Sequence, residues 1–219
     1  TRTTHIRARG AAARLTLCLT GQPDFRGADL RSRLVIAPSS TAVDAAFNPC
    51  KYGEVPDAPV MEIVLPSAHE DGFAPAGHHV LSAIVQSAPH APKGDPDAAR
   101  AAMLEATLRQ IEAHAPGLRG LIAHADLLMP WDIEARFGMA GGNWHHGELA
   151  VEQMLFNRPL REAAQYATPL PGLWLAGAGS HPGGGINGTA GWNAAGQIIA
   201  GQIIAGQTAA GQTVAKAAR

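Results

Sequence analysis

The sequence predicts an α/β protein in which a sheet of extended segments precedes a strand, a glycine-rich loop and a helix. Three observations lead to this prediction. Apolar and polar residues alternate in several short segments, a capped helix follows the fourth of them, and glycine is concentrated between residues 177 and 188. Period-two alternation is typical of half-buried strands. A glycine-rich run between an apolar segment and a helical pattern is typical of an anion-binding loop.

Four segments are predicted strands, and three of them alternate apolar and polar residues. The first runs from Ala13 to Leu19, and we expect its Cys18 to be a buried thiol. The others cover residues 33–37, 61–65 and 81–85. A polar connection rich in glycine and proline joins the third to the fourth. We therefore expect these two strands to be antiparallel neighbours.

The clearest helix follows the fourth strand. Asp95 is a good N-cap, Pro96 is a good first helical residue, and Pro116-Gly117 ends the pattern. Its predicted inner face consists of Ala101, Leu104, Leu108 and Ile111. We also expect a helical turn over residues 44–47, an extended segment over residues 121–129 and a short helix over residues 131–137.

The C-terminal third predicts a strand, a loop and a helix. Gly172 to Ala178 is a compact apolar strand candidate, and the glycine-rich loop follows it. The helix after the loop presents Ala195, Ile198, Ile199 and Ile203 at helical spacing. A five-residue repeat, GQxxA, fills residues 196–215. Because a period of five aligns no helical face, we expect this tail to fray beyond Ile204.

Composition excludes several classes of protein. The formal charge is -1 and only 16% of residues are charged, without a basic stripe, so we expect no nucleic-acid partner. The two cysteines form no CxxC pair, and His145-His146 with Glu148 lacks the spacing of a zinc site, so we expect no metal. No apolar stretch approaches about 20 residues. We expect a reduced, cytoplasmic chain and leave peripheral membrane contact open.

The strand, loop and helix around residues 177–188 offer the clearest chemistry. Small residues let a backbone approach a bulky or phosphorylated ligand, and a helix N-terminus attracts negative charge. The spacing is neither GxGxxG nor a P-loop. On the residues alone, two interpretations stay open: a ligand loop, or a glycine-rich turn with a structural role.

Several segments resemble the phytoene-desaturase-related family. GLWLAGAGSHPGGGINGTAGWNAA is similar to the C-terminal flavin signature of that family, GLYLxGxGTHPGGGxxG. FGMAGGNWHHGELAVEQMLFNRP, YATPLPGLW and AAARLTLCLTGQPDFRG also resemble family segments, and the match extends to about Ala200. The similarity is greatest to the branch described as pyridine nucleotide-disulfide oxidoreductase domain proteins. Ser180 replaces the usual Thr, and Trp192 stands where Arg is common.

The resemblance implies an FAD-dependent oxidoreductase, of desaturase, dehydrogenase or isomerase type, that acts on an apolar, polyene-like small molecule. Family members hold the ADP part of FAD in an N-terminal Rossmann half with GxGxxG, which is absent from this chain, so we expect a partner half or subunit. The resemblance places His146, Asn143 and His181 as candidate catalytic residues. The implied cofactor-binding residues are Gly177, Ala178, Gly179, Ser180, His181, Pro182, Gly183, Gly184, Gly185, Ile186, Asn187 and Gly188.

The resemblance also implies a division of the chain. Residues 1–165 correspond to a substrate-domain portion with a mixed or antiparallel sheet and a covering helix, residues 166–205 to the FAD-binding segment of a Rossmann-like fold, and residues 206–219 to the repetitive tail. Two alternatives stay open. The chain is a binding or scaffold module that kept the fold without flavin, or it is a gene fragment without independent function.

Overall fold

The protein is described by a computed structural model that covers residues 2–185 and 187–202. Backbone contacts divide the chain into two compact units. Arg9–Asn143 form the sheet unit. Thr1–Ala8 and Trp144–Arg219 form the loop unit, of which the structure describes the residues named above. Each unit therefore has its own packing.

A five-stranded sheet with the order β2-β3-β4-β1-β5 forms the centre of the sheet unit. Every neighbouring pair is antiparallel, including β3 and β4 as predicted. The strands are β1 (Ala12–Leu19), β2 (Leu34–Ile36), β3 (Met61–Val64), β4 (His79–Gln86) and β5 (Ile122–Leu128). The sequence thus placed strands at the positions of β1 to β4 and an extended segment at the position of β5.

The two faces of strand β1 differ in their exposure to solvent. Leu15, Leu17 and Leu19 are all 0% exposed and lie in the main apolar core. The prediction of a buried Cys18 is wrong, because Cys18 is an exposed free thiol. Successive side chains of a strand point to opposite faces, so Cys18 lies on the same face as Arg14 and away from the leucines.

Among the residues that the structure describes, four α-helices accompany the sheet and the loop. They are α1 (Ser40–Cys50), α2 (Pro96–His114), α3 (Pro130–Phe137) and α4 (residues 189–202). Helix α1 is longer than the predicted turn, because the Ser39 hydroxyl accepts a 3.1 Å hydrogen bond from the backbone N–H of Ala42 and starts the helix early.

Helix α2 begins as predicted, and its predicted inner face is confirmed at Leu108 and Ile111, which are buried, and at Leu104, which packs against the core. Asp95 caps it, accepting a 3.0 Å hydrogen bond from the backbone N–H of Ala98. Ala101 was predicted to be buried and is exposed, whereas Met103 and Thr107 are 0% exposed. The Thr107 hydroxyl donates to the carbonyl of Met103 at 2.7 Å, which satisfies its polar group inside the core. A polar residue therefore took a core position that apolar periodicity did not mark.

Glycines after α3 end that helix and pack closely on other backbone of the sheet unit. Gly138 ends α3 with a left-handed backbone, at φ 66°. Gly142 packs so closely on Pro130 that an added Cβ would lie 2.0 Å from the Pro130 carbonyl oxygen. The N–H of Gly10 donates to the Gly141 carbonyl at 2.7 Å. A side chain at position 142 would consequently force the backbone of this segment to shift.

The loop unit departs from the sequence prediction in two places. Gly172–Ala178 is not a strand: within the described chain it forms a single bridge, between Trp174 and Ala167, because only the segment just before it returns to pair with it. Helix α4 buries Ala190 and Ala194, while the predicted Ala195 and Ile199 are exposed. The predicted Ile203 and the tail of residues 206–219 lie outside the described residues.

Two further observations concern the described part of the chain. In residues 2–185 and 187–202, no helix is both long enough and apolar enough to cross a membrane. Among these same residues, no three His, Cys, Asp or Glu side chains are grouped so that they could hold a metal ion. Cys50, like Cys18, is a free thiol.

Candidate functional site

The candidate site is the loop of residues 177–188, which we call the glycine loop. Ser180 is 3% exposed, and its N–H closes a turn by donating to the Gly177 carbonyl at 3.0 Å. Gly183 has φ 114°, a conformation that side chains other than hydrogen disfavour. Ile186 lies outside the described residues. The glycine loop leads directly into α4, so the N-terminus of that helix lies beside it.

The glycines of this loop fall into two groups. A Cβ on Gly184 would lie 2.6 Å from Nδ1 of His145, and a Cβ on Gly183 would lie 3.3 Å from Nε of Arg158. Neighbouring side chains of the same unit thus leave little room for a Cβ at positions 183 and 184, which explains the two glycines. By contrast, a Cβ on Gly177 or Gly188 would meet no atom of the described residues within 4 Å. Positions 177 and 188 face space that a ligand could use.

Arg158 is a site residue that the sequence analysis missed. It is 2% exposed, and its Nη2 donates to the carbonyls of Ala178, at 3.1 Å, and of His145. Its buried Nε has no hydrogen-bond partner. Burial lowers the pKa of the guanidinium. The only sequence signal was its place at the end of the family-like segment, in Asn157-Arg158-Pro159.

The histidine pair lies against the same loop. A Cβ on Gly179 would be 3.5 Å from Cβ of His146, so His146 borders the glycine loop. His146 has φ 56°, an uncommon backbone conformation for a non-glycine residue. Burial, then the charges of Arg158 and His146, lower the pKa of His145.

His181, at the tip of the glycine loop, is held by its backbone. Its carbonyl accepts a 3.0 Å hydrogen bond from the hydroxyl of Tyr166, and that hydroxyl accepts one of 2.9 Å from Nδ2 of Asn193 on α4. Nδ1 of His181 is buried without a partner. A cavity of about 390 Å³ lies beside these residues, with Trp192 at its edge. Tyr166, also missed from the sequence, thus joins the loop to the helix.

Asn143 does not belong to the loop unit. It is the last residue of the sheet unit, where its side-chain amide donates to the Arg9 carbonyl at 3.5 Å. Of the three candidate catalytic residues, the structure places His146 and His181 in one unit with the glycine loop. Asn143 is held in the other unit.

The acidic residues nearest in sequence to the histidine pair are already paired. Glu148 and Glu152 both bind Arg7, with Nε of Arg7 3.1 Å from Oε2 of Glu148. These contacts raise the pKa of Arg7. A hydrogen bond from its own backbone N–H, and then Arg7, lower the pKa of Glu152. Gln153 adds a 2.7 Å hydrogen bond from the N–H of Arg7. Glu148 and Glu152 therefore form ion pairs with Arg7 near the N-terminus and not with Arg158.

Comparison with known proteins gives three informative relatives. The chain is 37% identical over 153 residues to pyridine nucleotide-disulfide oxidoreductase domain-containing protein 2 of Rattus norvegicus, covering 68% of this chain and 26% of the rat protein. It is 31% identical over 136 residues to 4,4'-diapolycopen-4-al dehydrogenase of Metabacillus indicus, covering 61% of this chain and 26% of the Metabacillus protein. It is 39% identical over 57 residues to a limonene dehydrogenase subunit of Castellaniella defragrans, covering 26% of this chain and 10% of that subunit.

No protein-family profile matches the chain. The chain spans about a quarter of the length of the rat and Metabacillus relatives. Within that span the similarity is to proteins named as oxidoreductases and dehydrogenases. This protein is accordingly related in sequence, over about two thirds of its own length, to pyridine nucleotide-disulfide oxidoreductase domain proteins.

Proposed function

We propose that this chain is the C-terminal part of an FAD-dependent oxidoreductase and that the glycine loop holds part of the flavin cofactor. The observation that carries the proposal is the buried, unpaired Nε of Arg158 beneath the loop, in a chain similar to named oxidoreductases. FAD, when bound, supplies the electron-transfer chemistry. The ADP half of FAD is proposed to lie in a dinucleotide-binding half outside this chain.

The residues present fit such a group. Nε of Arg158 and Nδ1 of His181 are buried polar atoms without partners, and such atoms cost free energy until something satisfies them. Gly177 and Gly188 leave open space where the backbone can approach a planar ligand. The N-terminus of α4 adds partial positive charge. Together these features favour an electron-rich, planar or phosphorylated ligand.

The chain's own residues have distinct proposed roles. Arg158 holds the two segments of the loop unit together through the carbonyls of His145 and Ala178. Tyr166 fixes the backbone of His181 relative to α4. His146 and His181 border the ligand, whereas a role for Asn143 rests on the family resemblance alone.

We propose an apolar, polyene-like substrate. The Metabacillus relative is named for a diapolycopenal and the Castellaniella relative for limonene, both substrates with long or cyclic apolar frameworks. The second name also describes a subunit, which supports the proposal that the dinucleotide-binding half of this enzyme resides on another chain or in a longer polypeptide.

Binding of FAD to the 219-residue chain tests the proposal. Gly177→Leu adds a side chain to the loop at a position where the new Cβ would meet no described atom within 4 Å. We expect this variant to unfold at the wild-type urea concentration and to bind FAD at least about tenfold more weakly, as followed by quenching of flavin fluorescence. Gly120→Leu is the matched control, because Gly120 also faces open space but lies in the sheet unit.

Two results would contradict the flavin proposal for this chain. The wild-type chain binds no FAD, or Gly177→Leu and Gly120→Leu bind it equally. Either result would favour the alternative of a binding or scaffold module that retains the fold, because the loop would then have only its internal contacts with His145 and Arg158.

A further inference from the structure

Strand β5 is an edge of the sheet whose outer side has no strand partner among residues 2–185 and 187–202. It pairs with β1 alone, and its seven residues include neither proline nor lysine. The other edge strand, β2, has only three residues. Natural proteins keep exposed edge strands short or place lysine and proline in them, because the free N–H and C=O groups of an edge can pair with another chain. Its short length protects β2 in this way, whereas β5 is long enough to pair.

A bulge limits the free edge to part of β5. The register between β1 and β5 shifts by one residue at Ala123, whereas residues 124–128 pair regularly with β1. Within the described chain, these five residues form backbone hydrogen bonds with β1 only. Bulges twist an edge and end its pairing. The regular free edge therefore covers residues 124–128, and any ladder that forms on it is short.

Two ionisable side chains lie symmetrically about the middle of this edge. His124 and Asp126 are both exposed and flank Ala125, so their side chains lie on the same face of the sheet. Their cross-strand neighbours on β1 are the thiol of Cys18 and the hydroxyl of Thr16. In the part of the chain that the structure describes, neither the His124 nor the Asp126 side chain forms a hydrogen bond or an ion pair. Both side chains are therefore available to a partner.

We propose that two copies of this chain pair antiparallel along β5, about a twofold axis at Ala125. In this register His124 lies directly opposite Asp126 of the partner subunit, and the symmetry repeats the pair, while Ile122 and Leu128 meet at each end. The two nearest registers that keep the same faces together place His124 opposite His124 of the partner subunit, or Asp126 opposite Asp126 of the partner subunit. Opposite charges across an antiparallel ladder are stabilising and like charges are destabilising, so charge favours the symmetric register.

Sedimentation equilibrium of the full chain tests whether a dimer forms. Because the ladder is short, we expect a weak dimer, whose average mass rises from the 22.7 kDa of one chain toward twice that value between about 10 and 500 µM protein. A wild-type chain that stays monomeric over this range overturns the proposal. That result would also be obtained if another part of a longer polypeptide covers β5.

Charge variants then show whether the dimer forms through this edge. His124→Asp places two carboxylates opposite each other, and we expect it to raise the dimer dissociation constant at least about tenfold. The double variant His124→Asp with Asp126→Lys exchanges the charges of each pair, and we expect it to regain most of the affinity. His69→Asp, alone and with Asp71→Lys, is the matched control, because His69 and Asp71 have the same spacing and are exposed in the sheet unit. A dimer that His124→Asp leaves unchanged, or that His69→Asp weakens equally, overturns the proposal.

A cysteine on the twofold axis tests the register. Ala125→Cys, in a chain that also carries Cys18→Ser and Cys50→Ser, places two thiols directly opposite each other with their Cα atoms about 4.5–5.5 Å apart, which is within the range of a disulfide. We expect oxidation by dissolved dioxygen to give a covalent dimer on a non-reducing gel. Ala45→Cys in the same background is the control, since Ala45 is exposed on α1, and we expect it to form much less dimer. Equal cross-linking of the two variants overturns the symmetric pairing at Ala125.

Discussion

Replacing Gly142 by alanine tests the packing at the end of the sheet unit. The new Cβ would lie 2.0 Å from the Pro130 carbonyl oxygen and 2.6 Å from its carbon, whereas ordinary contacts begin at 3.4 Å. Neither partner can rotate away, because both belong to the backbone. Overpacking of this kind costs about 1–3 kcal/mol. The left-handed backbone at φ 67° adds about 1–2 kcal/mol for any residue with a Cβ.

Gly138→Ala is the matched control. Gly138 has nearly the same conformation, at φ 66°, and a Cβ there meets nothing within 4 Å. We therefore expect Gly138→Ala to lower the free energy of unfolding by about 1–2 kcal/mol and Gly142→Ala by about 2–5 kcal/mol, measured by urea unfolding followed by circular dichroism. Equal destabilisation by the two variants would refute the close approach of Gly142 to Pro130.

The remaining predictions concern the core, a helix cap and pH. Leu17→Ala should lower the free energy of unfolding by about 2–5 kcal/mol, since Leu17 is 0% exposed, whereas Cys18→Ala on the opposite face should change it by less than about 0.5 kcal/mol, both from urea midpoints. Asp95→Ala should lower the free energy of unfolding by about 0.5–2 kcal/mol, because α2 loses its N-cap. Asp97→Ala, at an exposed neighbouring position, should lower it by less. Folding lowers the pKa of His145 below its unfolded value of 6.5. The contribution of His145 to the free energy of unfolding is therefore present above pH 6.5 and is lost as the pH falls toward the folded pKa. Urea midpoints of wild type should consequently fall more steeply than those of His145→Gln on acidification below pH 6.5, and parallel curves would contradict this.

Much of the sheet unit was predictable because its signals are local. Alternation located β1, and the cap at Asp95 followed by Pro96 located the start of α2. The errors have physical causes. Cys18 was assigned by residue type instead of by its place in the pleat, and Thr107 entered the core because the Met103 carbonyl satisfies its hydroxyl. Such tertiary satisfaction leaves no trace in hydrophobic periodicity.

The loop unit was less predictable because its contacts are not local. Gly172–Ala178 has the composition of a strand, but a strand forms only where partners can pair with it, and only Ala167 does so among the described residues. Arg158 contacts the loop from about twenty residues away in sequence, through the carbonyl of Ala178. Gly183 and Gly184 are conspicuous in the sequence, yet their neighbours Arg158 and His145 explain them only in three dimensions.

The flavin content of the protein purified from its native source tests the central claim most directly. We predict a yellow protein with visible flavin absorption, FAD released on denaturation, and a polypeptide carrying a dinucleotide-binding half that co-purifies with this sequence or is continuous with it on a denaturing gel. A colourless protein of a single 22.7 kDa band, without releasable flavin, would contradict it.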